Sequence, residues 1–393
     1  MSYVDALFKK DKNTVYVVER KDGQRVYKEY PVTYQFFYSD PKGKYRSIYD
    51  EPLSVSRTKT YKDFQTELKI HSSKKIYESD LNQTFVCLSD NYLNIPAPNL
   101  NVAFFDIETG MQPYAYSSDH IVTVKHKKTL EEKDIIVYEL ANFIDKNTFE
   151  VYDHIDNKWS TINHCRYLQP GPGYSSTDDA CMPITSISVY LQWSNSMICL
   201  AIPPKTLSIN EAKELVKDIP NVYIFDTEKE MLDTFLDIIE DADILSGWNS
   251  CFYDIPYCIN RITQVLSKND TKRLCLWNQS PKSREVEKYG KKQNTYELVG
   301  RVHLDYLELY QKYTYEERAS YRLDYIGEYE VGENKVAYEG SLEKLYYNDF
   351  RKFIEYNIQD TALLNKLDQK LKFINTANSF AHANTVLLPL LIL

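Results

Sequence analysis

No two of the seven cysteines (Cys87, Cys165, Cys181, Cys199, Cys251, Cys258 and Cys275) stand at C-x-x-C spacing. Their scatter and odd number exclude a zinc site built on paired thiolates and a disulfide framework, and fit a reducing, intracellular compartment. No apolar run is long enough to span a bilayer, and the start, Met1-Ser2-Tyr3-Val4-Asp5, lacks the apolar core of a signal peptide. A soluble protein with no membrane partner is therefore expected. No internal repeat or low-complexity tract stands out. Positive charge is in deficit, with Lys+Arg 47 against Asp+Glu 56 and a net charge of −9, which argues against a protein that coats nucleic acid along its whole surface.

A local basic strip does exist between Arg261 and Arg301. There Lys268, Lys272, Arg273, Lys282, Arg284, Lys288, Lys291 and Lys292 outnumber Asp270, Glu285, Glu287 and Glu297. A solvated loop would look similar. With 393 residues, 43% of them hydrophobic, the chain can fill two or three domain cores. Its 34 tyrosines suit β-rich surfaces, and a few of them would also suit base stacking.

Residues 1–100 alternate apolar and polar positions in short runs, as in Thr14-Val15-Tyr16-Val17-Val18, punctuated by Asp22-Gly23 and Pro41-Lys42-Gly43. This is hairpin punctuation and predicts a β-rich N-terminal domain. A boundary falls near residue 100, where Val102-Ala103-Phe104-Phe105 opens a run suited to a buried central strand. Ile184 to Tyr190 and Met197 to Ile202 read as strands lying antiparallel to it. Thr227-Glu228-Lys229-Glu230 reads as a capping box opening a helix with Met231, Phe235, Ile238 and Ile239 on one side. Strand and helix then alternate, so the class is α/β. Tyr347 to Phe373 has helical apolar spacing, and 375–384 reads as a loop. Residues 110–182 interrupt this order as an inserted β-rich module: a β-like piece at 120–124, a charged helix candidate at 129–133, a hairpin at 149–159 and the loop Pro170-Gly171-Pro172-Gly173.

Three short patterns carry chemistry. In Phe104-Phe105-Asp106-Ile107-Glu108-Thr109 the two acids are two apart on a strand and share a face. Carboxylates held together in a partly buried place raise each other's pKa, and a divalent metal relieves the repulsion. Taken alone, D-x-E is also what a solvated strand edge carries. In Ile244 to Tyr257 an apolar strand ends in a small-residue turn, and Asn249 and Asp254 fall where side chains enter the crevice beyond strand ends. Asp254 before Ile255-Pro256 is equally a helix N-cap, and both roles are compatible. In Tyr356-Asn357-Ile358-Gln359-Asp360, positions four apart on a helix bring the Tyr356 hydroxyl and the Asp360 carboxylate to one place.

Order and context together make these patterns resemble the DEDDy 3′→5′ exonucleases, in particular the proofreading domain of family B DNA polymerases, where they read D-I-E, N-x-x-x-[FY]-D and Y-x-x-x-D. Further blocks look alike: Leu304-Asp305-Tyr306-Leu307-Glu308-Leu309-Tyr310, Tyr321-Arg322-Leu323-Asp324 and Gly332-Glu333-Asn334-Lys335-Val336. The first hundred residues, ending in Leu88-Ser89-Asp90-Asn91-Tyr92, resemble the N-terminal domain of the T-even phage enzymes. Only 110–182 and the last fifteen or so residues fall outside the likeness.

The resemblance implies a ribonuclease-H-like exonuclease domain over 101–385, and intracellular work, in the host cytoplasm if the gene is a phage's. It implies two divalent ions, Mg²⁺ or Mn²⁺, roughly 3.5 to 4 Å apart, cleaving the 3′-terminal phosphodiester of single-stranded or frayed DNA. Asp106 would bridge both ions, Glu108 and Asp360 would complete the first, and Asp254 would hold the second. Tyr356 would orient the attacking water with Glu108, not act as base, because a phenol titrates near about 10. Asn249 and Tyr253 are the expected contacts to the terminal nucleotides. The hairpin around Tyr289-Gly290, with Lys288, Lys291 and Lys292, is the expected contact to a primer–template. No D-x-x-S-L-Y-P-S, K-x-x-x-N-S-x-Y-G or D-T-D-S block of a polymerase site occurs, so a second polypeptide carrying palm, fingers and thumb is the expected partner. The apolar tail at 386–393, where the palm would begin, would suit docking to it. A free-standing exonuclease and a non-catalytic nucleic-acid-binding or scaffolding subunit are the rival expectations.

Overall fold

The structure of the protein, a computed structural model, describes residues 2–110, 121–136, 148–153, 158–162, 175–288 and 291–391. The alternation of the first hundred residues folds into two antiparallel sheets. β1 (Ser2–Lys9), β2 (Thr14–Lys21) and β3 (Gln24–Pro31) form the first. Asp22 and Gly23, with φ of 51° and 79°, make the left-handed two-residue turn that pairs Lys21 with Gln24, as the Asp-Gly pair predicts. β4 (Tyr34–Ser39), β5 (Tyr45–Arg46), β6 (Pro52–Thr58) and β7 (Ile76–Tyr77) form the second, in the order β5-β6-β4-β7. Helices α1 (Tyr61–Ile70) and α2 (Gln83–Tyr92) contribute Phe64 and Leu88 to the core beneath.

The central strand expected at Val102 is β8 (Val102–Thr109). It lies inside a six-stranded mixed sheet with β13 (Ile184–Leu191), β14 (Ser196–Ala201), β15 (Val222–Ile224), β16 (Ile244–Gly247) and β19 (Val302–Asp305), ordered β15-β14-β13-β8-β16-β19. β13 runs antiparallel to both β8 and β14, and β16 runs parallel to β8 and β19. Because strand side chains alternate, β8 feeds two cores. Ala103, Phe105 and Ile107 pack with α4 (Glu228–Ile238) and α5 (Asp254–Val265). Val102 and Phe104 pack with α6 (Tyr306–Tyr313), α7 (Leu323–Val331), the long α9 (Phe350–Leu371) and α10 (Phe373–Ala383). Phe104 and Phe105 are essentially sealed off from water, each a burial worth about 1.5–3 kcal/mol. The short α3 (Ile209–Leu215) and α8 (Leu342–Asn348) cover the β14 side.

Arg20 fastens the first sheet to the mixed one. Its Nε donates to Asp243 at 2.6 Å and its Nη2 to Asp241 at 2.8 Å, with Arg20 and Asp243 almost entirely buried.

The described part of 110–182 contains β9 (Ile121–His126), β10 (Glu132–Ile136), β11 (Phe149–Asp153) and β12 (Lys158–Thr161), an antiparallel sheet ordered β10-β9-β11-β12. The hairpin expected at 149–159 is the β11–β12 pair. The helix expected at 129–133 is not formed: Leu130 is left-handed at φ 60°, and the segment is a tight turn into β10. Its Glu132 serves instead in a cross-strand pair with Lys125 at 2.8 Å. His120 and the Pro170 to Gly173 loop lie outside the described residues.

Other expectations also change. Residues 375–383 of the expected loop belong to α10, with Asn384 as its C-terminal cap, because Ile374, Ala377, Asn378, Ala381 and His382 recur at helical spacing and are buried. At Thr227 only half of the capping box forms, the hydroxyl accepting from Glu230 N at 3.2 Å, while the full reciprocal box forms at Ser208 and Glu211. Among the described residues no helix is long and apolar enough to cross a membrane.

Candidate active site

Asp106 and Glu108 lie at the C-terminal end of β8 on the face turned toward α9. Their cross-strand partners on β13 are Ser188 and Ser186, small residues that let the helix come close. The Ser186 hydroxyl donates to Asn357 Oδ1 at 3.0 Å and the Ser188 hydroxyl to the Asn357 carbonyl at 2.8 Å. That docking brings Asp360 to the strand: one carboxylate oxygen from each of Asp106, Glu108 and Asp360 falls within 4.8 Å of the others. Tyr356 stands one helical turn earlier on the same side of α9.

Asp254 comes from the other core. It is not the cap of α5, as one reading of the sequence had it: the cap is Tyr253, whose side chain makes no capping bond, and Asp254 occupies the first turn. Asp254 Oδ1 accepts from Ile107 N at 3.3 Å, which fixes it beside β8 at the residue between Asp106 and Glu108. It is outside the 4.8 Å group, yet near enough to Asp106 to be its strongest charged neighbour.

Burial raises all four carboxyls above their ordinary range. For Asp106 the charges of Asp254 and Asp360 add to burial, and for Glu108 those of Asp106 and Asp360 do. Asp254 is pushed up to about 7, mainly by burial, against the opposing Ile107 N–H. Asp360 rises by burial, restrained by Lys335.

Lys335, part of the Gly332–Val336 block but given no role from sequence, is the first residue that the structure adds to the site. Its ammonium donates to Asp360 Oδ2 and, at 3.1 Å, to the Tyr356 hydroxyl. Burial pulls its pKa down, but Asp360, Asp106 and Glu108 outweigh that and raise it. Asn357 is the second, its amide donating to Asp106 Oδ2 at 2.8 Å. It sits three residues before Asp360, so helical spacing alone could have placed it on the site face. Lys335 lies in a loop, where no periodicity points.

Asn249 and Tyr253 lie on the turn after β16. The turn is tight because Gly247 allows it: a Cβ there would stand 2.8 Å from Ser250 Cβ and 2.9 Å from the Phe105 carbonyl. Asn249 is exposed with φ 59°, and the Tyr253 hydroxyl lies 3.0 Å from that of Thr109. The expected basic hairpin is β17 (Lys282–Lys288) with β18 (Lys291–Glu297). Lys292 pairs with Glu285 at 2.7 Å, and Arg273 with Asp233 and Asp237 at 2.6 and 2.7 Å, so part of the strip's charge is already compensated. The backbones of Lys288 and Lys291 pair across the hairpin, while their side chains lie outside the described residues.

The donor set is all carboxylate oxygen, the chemistry of Mg²⁺ and Mn²⁺. Asp360 Oδ1 is buried and, among the described residues, has no hydrogen-bond partner. Such an orphaned oxygen beside two more carboxylates fits a divalent ion. A cavity of about 340 Å³ opens at the end of β8, lined in part by Thr109, Thr185, Pro203, Tyr346, Tyr347 and Phe353 and by none of the four acids.

Residues 171–326 match the exonuclease domain of DNA polymerase family B. The DNA-directed DNA polymerase of Escherichia phage RB69 is 36% identical over 258 residues, 61% of this chain and 28% of that protein. That of Enterobacteria phage T4 is 31% identical over 165 residues, 40% of this chain and 18% of its own length. The DNA polymerase delta catalytic subunit of Oryza sativa subsp. japonica is 29% identical over 168 residues, 39% and 15%. The matched part thus covers 28% or less of each relative, and the likeness is to the exonuclease region of T-even-type family B polymerases.

Proposed function

We propose that this chain, similar as it is to the exonuclease region of T-even-type family B DNA polymerases, is a 3′→5′ exonuclease that proofreads during DNA replication. The observation that carries this is the convergence of Asp106, Glu108 and Asp360 within 4.8 Å, with an unpartnered oxygen on Asp360. In this reading the mixed sheet and its helices are a ribonuclease-H-like domain spanning 101–385, interrupted by a β-rich insertion at 110–182 and preceded by an N-terminal domain over 1–100.

Asp106, Glu108, Asp254 and Asp360 would hold two divalent ions, Asp106 shared between them. When bound, such a pair activates water, neutralises charge on the phosphate and stabilises the leaving oxygen. The chain's own residues do the rest. Asn357 holds Asp106 in one rotamer, and Lys335 supplies a positive charge at the phosphate end while fixing Tyr356, whose hydroxyl then orients a water beside Glu108. Tyr356 remains a phenol throughout, since burial raises its pKa. Asn249 and Tyr253 line the approach of the terminal nucleotides. The tyrosine-lined cavity beside Thr109 suits a flat base by stacking, and Lys288, Lys291 and Lys292 would reach the duplex behind it.

The test is digestion of a 5′-labelled single strand with Mg²⁺ or Mn²⁺. Stepwise shortening from the 3′ end that stops with EDTA supports the reading, and its absence at every metal concentration sinks it. The relatives are DNA polymerases of which the chain matches only a part, and the partner proposed is a polymerase fragment carrying palm, fingers and thumb. Co-purification with such a fragment, with and without residues 386–393, tests that pairing.

A further inference from the structure

Asp305 ends β19 and caps α6, yet its carboxylate is bonded more widely than a helix cap requires. Oδ1 accepts from Leu307 N at 2.9 Å, the ordinary capping bond, and also from Asn249 N at 3.0 Å. Oδ2 accepts from Cys251 N at 2.9 Å. β16 and β19 lie parallel with Gly247 opposite Asp305, so the acid stands where β16 breaks into its turn. Asn249, inside that turn, sits in the left-handed region, which costs most L residues about 1–2 kcal/mol and asparagine less. The same turn is held by Ser250, whose hydroxyl meets His303 Nε2 at 2.8 Å, and by the Thr295 hydroxyl, which donates to the Cys251 carbonyl at 2.6 Å. Asp305 is 3% exposed, so bulk water is not at hand to replace its bonds. Serine or threonine would cap α6 equally well. A residue that must also accept from Asn249 and Cys251 needs two oxygens.

The geometry points to Asp305 as a positioning residue of the nuclease site, locking the 249–251 turn so that the exposed Asn249 side chain meets the 3′-terminal nucleotide of the strand. This rests on the exonuclease reading above. Asp305 accepts from the Asn249, Cys251 and Leu307 backbone and hydrogen-bonds none of the four site acids, although its charge lies near enough to raise Asp254; the positioning effect passes through Asn249.

Asp305→Ser keeps the cap of α6 and loses both bonds to the turn. Asp305→Asn keeps two bonds at most, because its amide nitrogen would face a donor. The expected result for single-strand trimming is a KM raised between about tenfold and a hundredfold by Asp305→Ser, less by Asp305→Asn, with kcat unchanged. Asn249→Ala raises KM by itself, and Asp305→Ser adds nothing further in the Asn249→Ala background. If the two factors multiply, or if KM stays at the wild-type value, the assignment is overturned. The wild type, Asp305→Ser, Asn249→Ala and their double variant, together with Asp305→Asn, are compared for oligonucleotide binding by anisotropy in EDTA, with melting temperatures as the check on folding. Should Asp305→Ser fail to fold, Asp305→Asn carries the cycle. A wild type that binds the strand but never shortens it overturns the nuclease reading, and the binding cycle still decides the role of Asp305. A wild type that neither binds nor shortens it overturns both.

Discussion

The side-chain amide of Asn357 donates to Asp106 Oδ2 at 2.8 Å while its oxygen accepts from the Ser186 hydroxyl at 3.0 Å. One α9 residue thus ties the helix to β13 and sets the rotamer of an acid on β8. Asn357→Ala leaves a buried hydroxyl and a carboxylate oxygen without partners. The expected loss is about 1–3 kcal/mol of stability and a tenfold to hundredfold weaker affinity for Mn²⁺, on the order found when a ligand loses its outer hydrogen bond. Calorimetric titration with Mn²⁺ checks it, and an unchanged affinity would show that Asp106 is oriented by something else.

Asp106→Asn and Asp360→Asn are both expected to abolish metal-dependent trimming, but to move metal-free stability in opposite directions. Asp106→Asn removes one of several mutually repelling carboxyls and raises the melting temperature in EDTA. Asp360→Asn strands the Lys335 ammonium, whose side chain is only 29% exposed, and lowers it. The cost should fall below the about 3–5 kcal/mol of a fully buried broken pair, because Lys335 retains some water. Melting curves with EDTA decide, and a shift of the same sign in both variants would contradict the role given to the Lys335–Asp360 pair.

Metal-free stability should fall as pH rises from about 4, the ordinary carboxylate value, through about 7 and, for the acids raised further, beyond it. Asp254, Asp305 and Asp5 have folded pKa values raised to about 7 by burial, and Asp106, Glu108 and Asp360 are raised as well. In this case the folded state holds protons that the unfolded chain has released, so the stability present at low pH is lost as pH passes through the folded values. His303 and His382, lowered to about 3 and about 4, act in the opposite sense, but their contribution is lost only as pH falls below their ordinary value near 6.5. The rise in melting temperature given by Mg²⁺ over EDTA should therefore widen from pH 7 to 8 and narrow in Asp106→Asn. A gap independent of pH would argue against a metal bound by these acids.

Arg20→Ala removes the cation from between Asp241 and the fully buried Asp243. The buried Asp243 loses its closer partner but keeps Arg25 at 3.4 Å, so the expected cost falls below the about 3–5 kcal/mol of a fully broken buried pair. Chemical denaturation measures it. Arg20→Ala combined with Asp243→Asn should recover part of the loss, and a double variant no better than the single one would place the effect in packing instead of charge.

Much of the site was legible because its parts are local. Two acids two apart on a strand share a face wherever the strand lies, and Tyr356 and Asp360 share one on any helix. The strands at Val102, Ile184 and Met197 were equally readable from apolar runs. Helix α10 was not: in Asn375 to Asn384 the polar residues mask a stripe of Ile374, Ala377 and Ala381 that is too small-sided to stand out. The turn at 129–133 was misread because its charges suit a helix surface as well as a cross-strand ladder.

From sequence alone followed the residue types, their spacing and the element each one rides on, since these depend on periods of two and about four residues along one chain. Which oxygens meet was decided only by packing. The serines of β13 let α9 approach β8, Ile107 N–H holds Asp254 beside the strand, and a loop 25 residues before Asp360 delivers Lys335 into the cluster. No local period encodes such meetings, because they join segments that become neighbours only when the sheet and its helices close on one another.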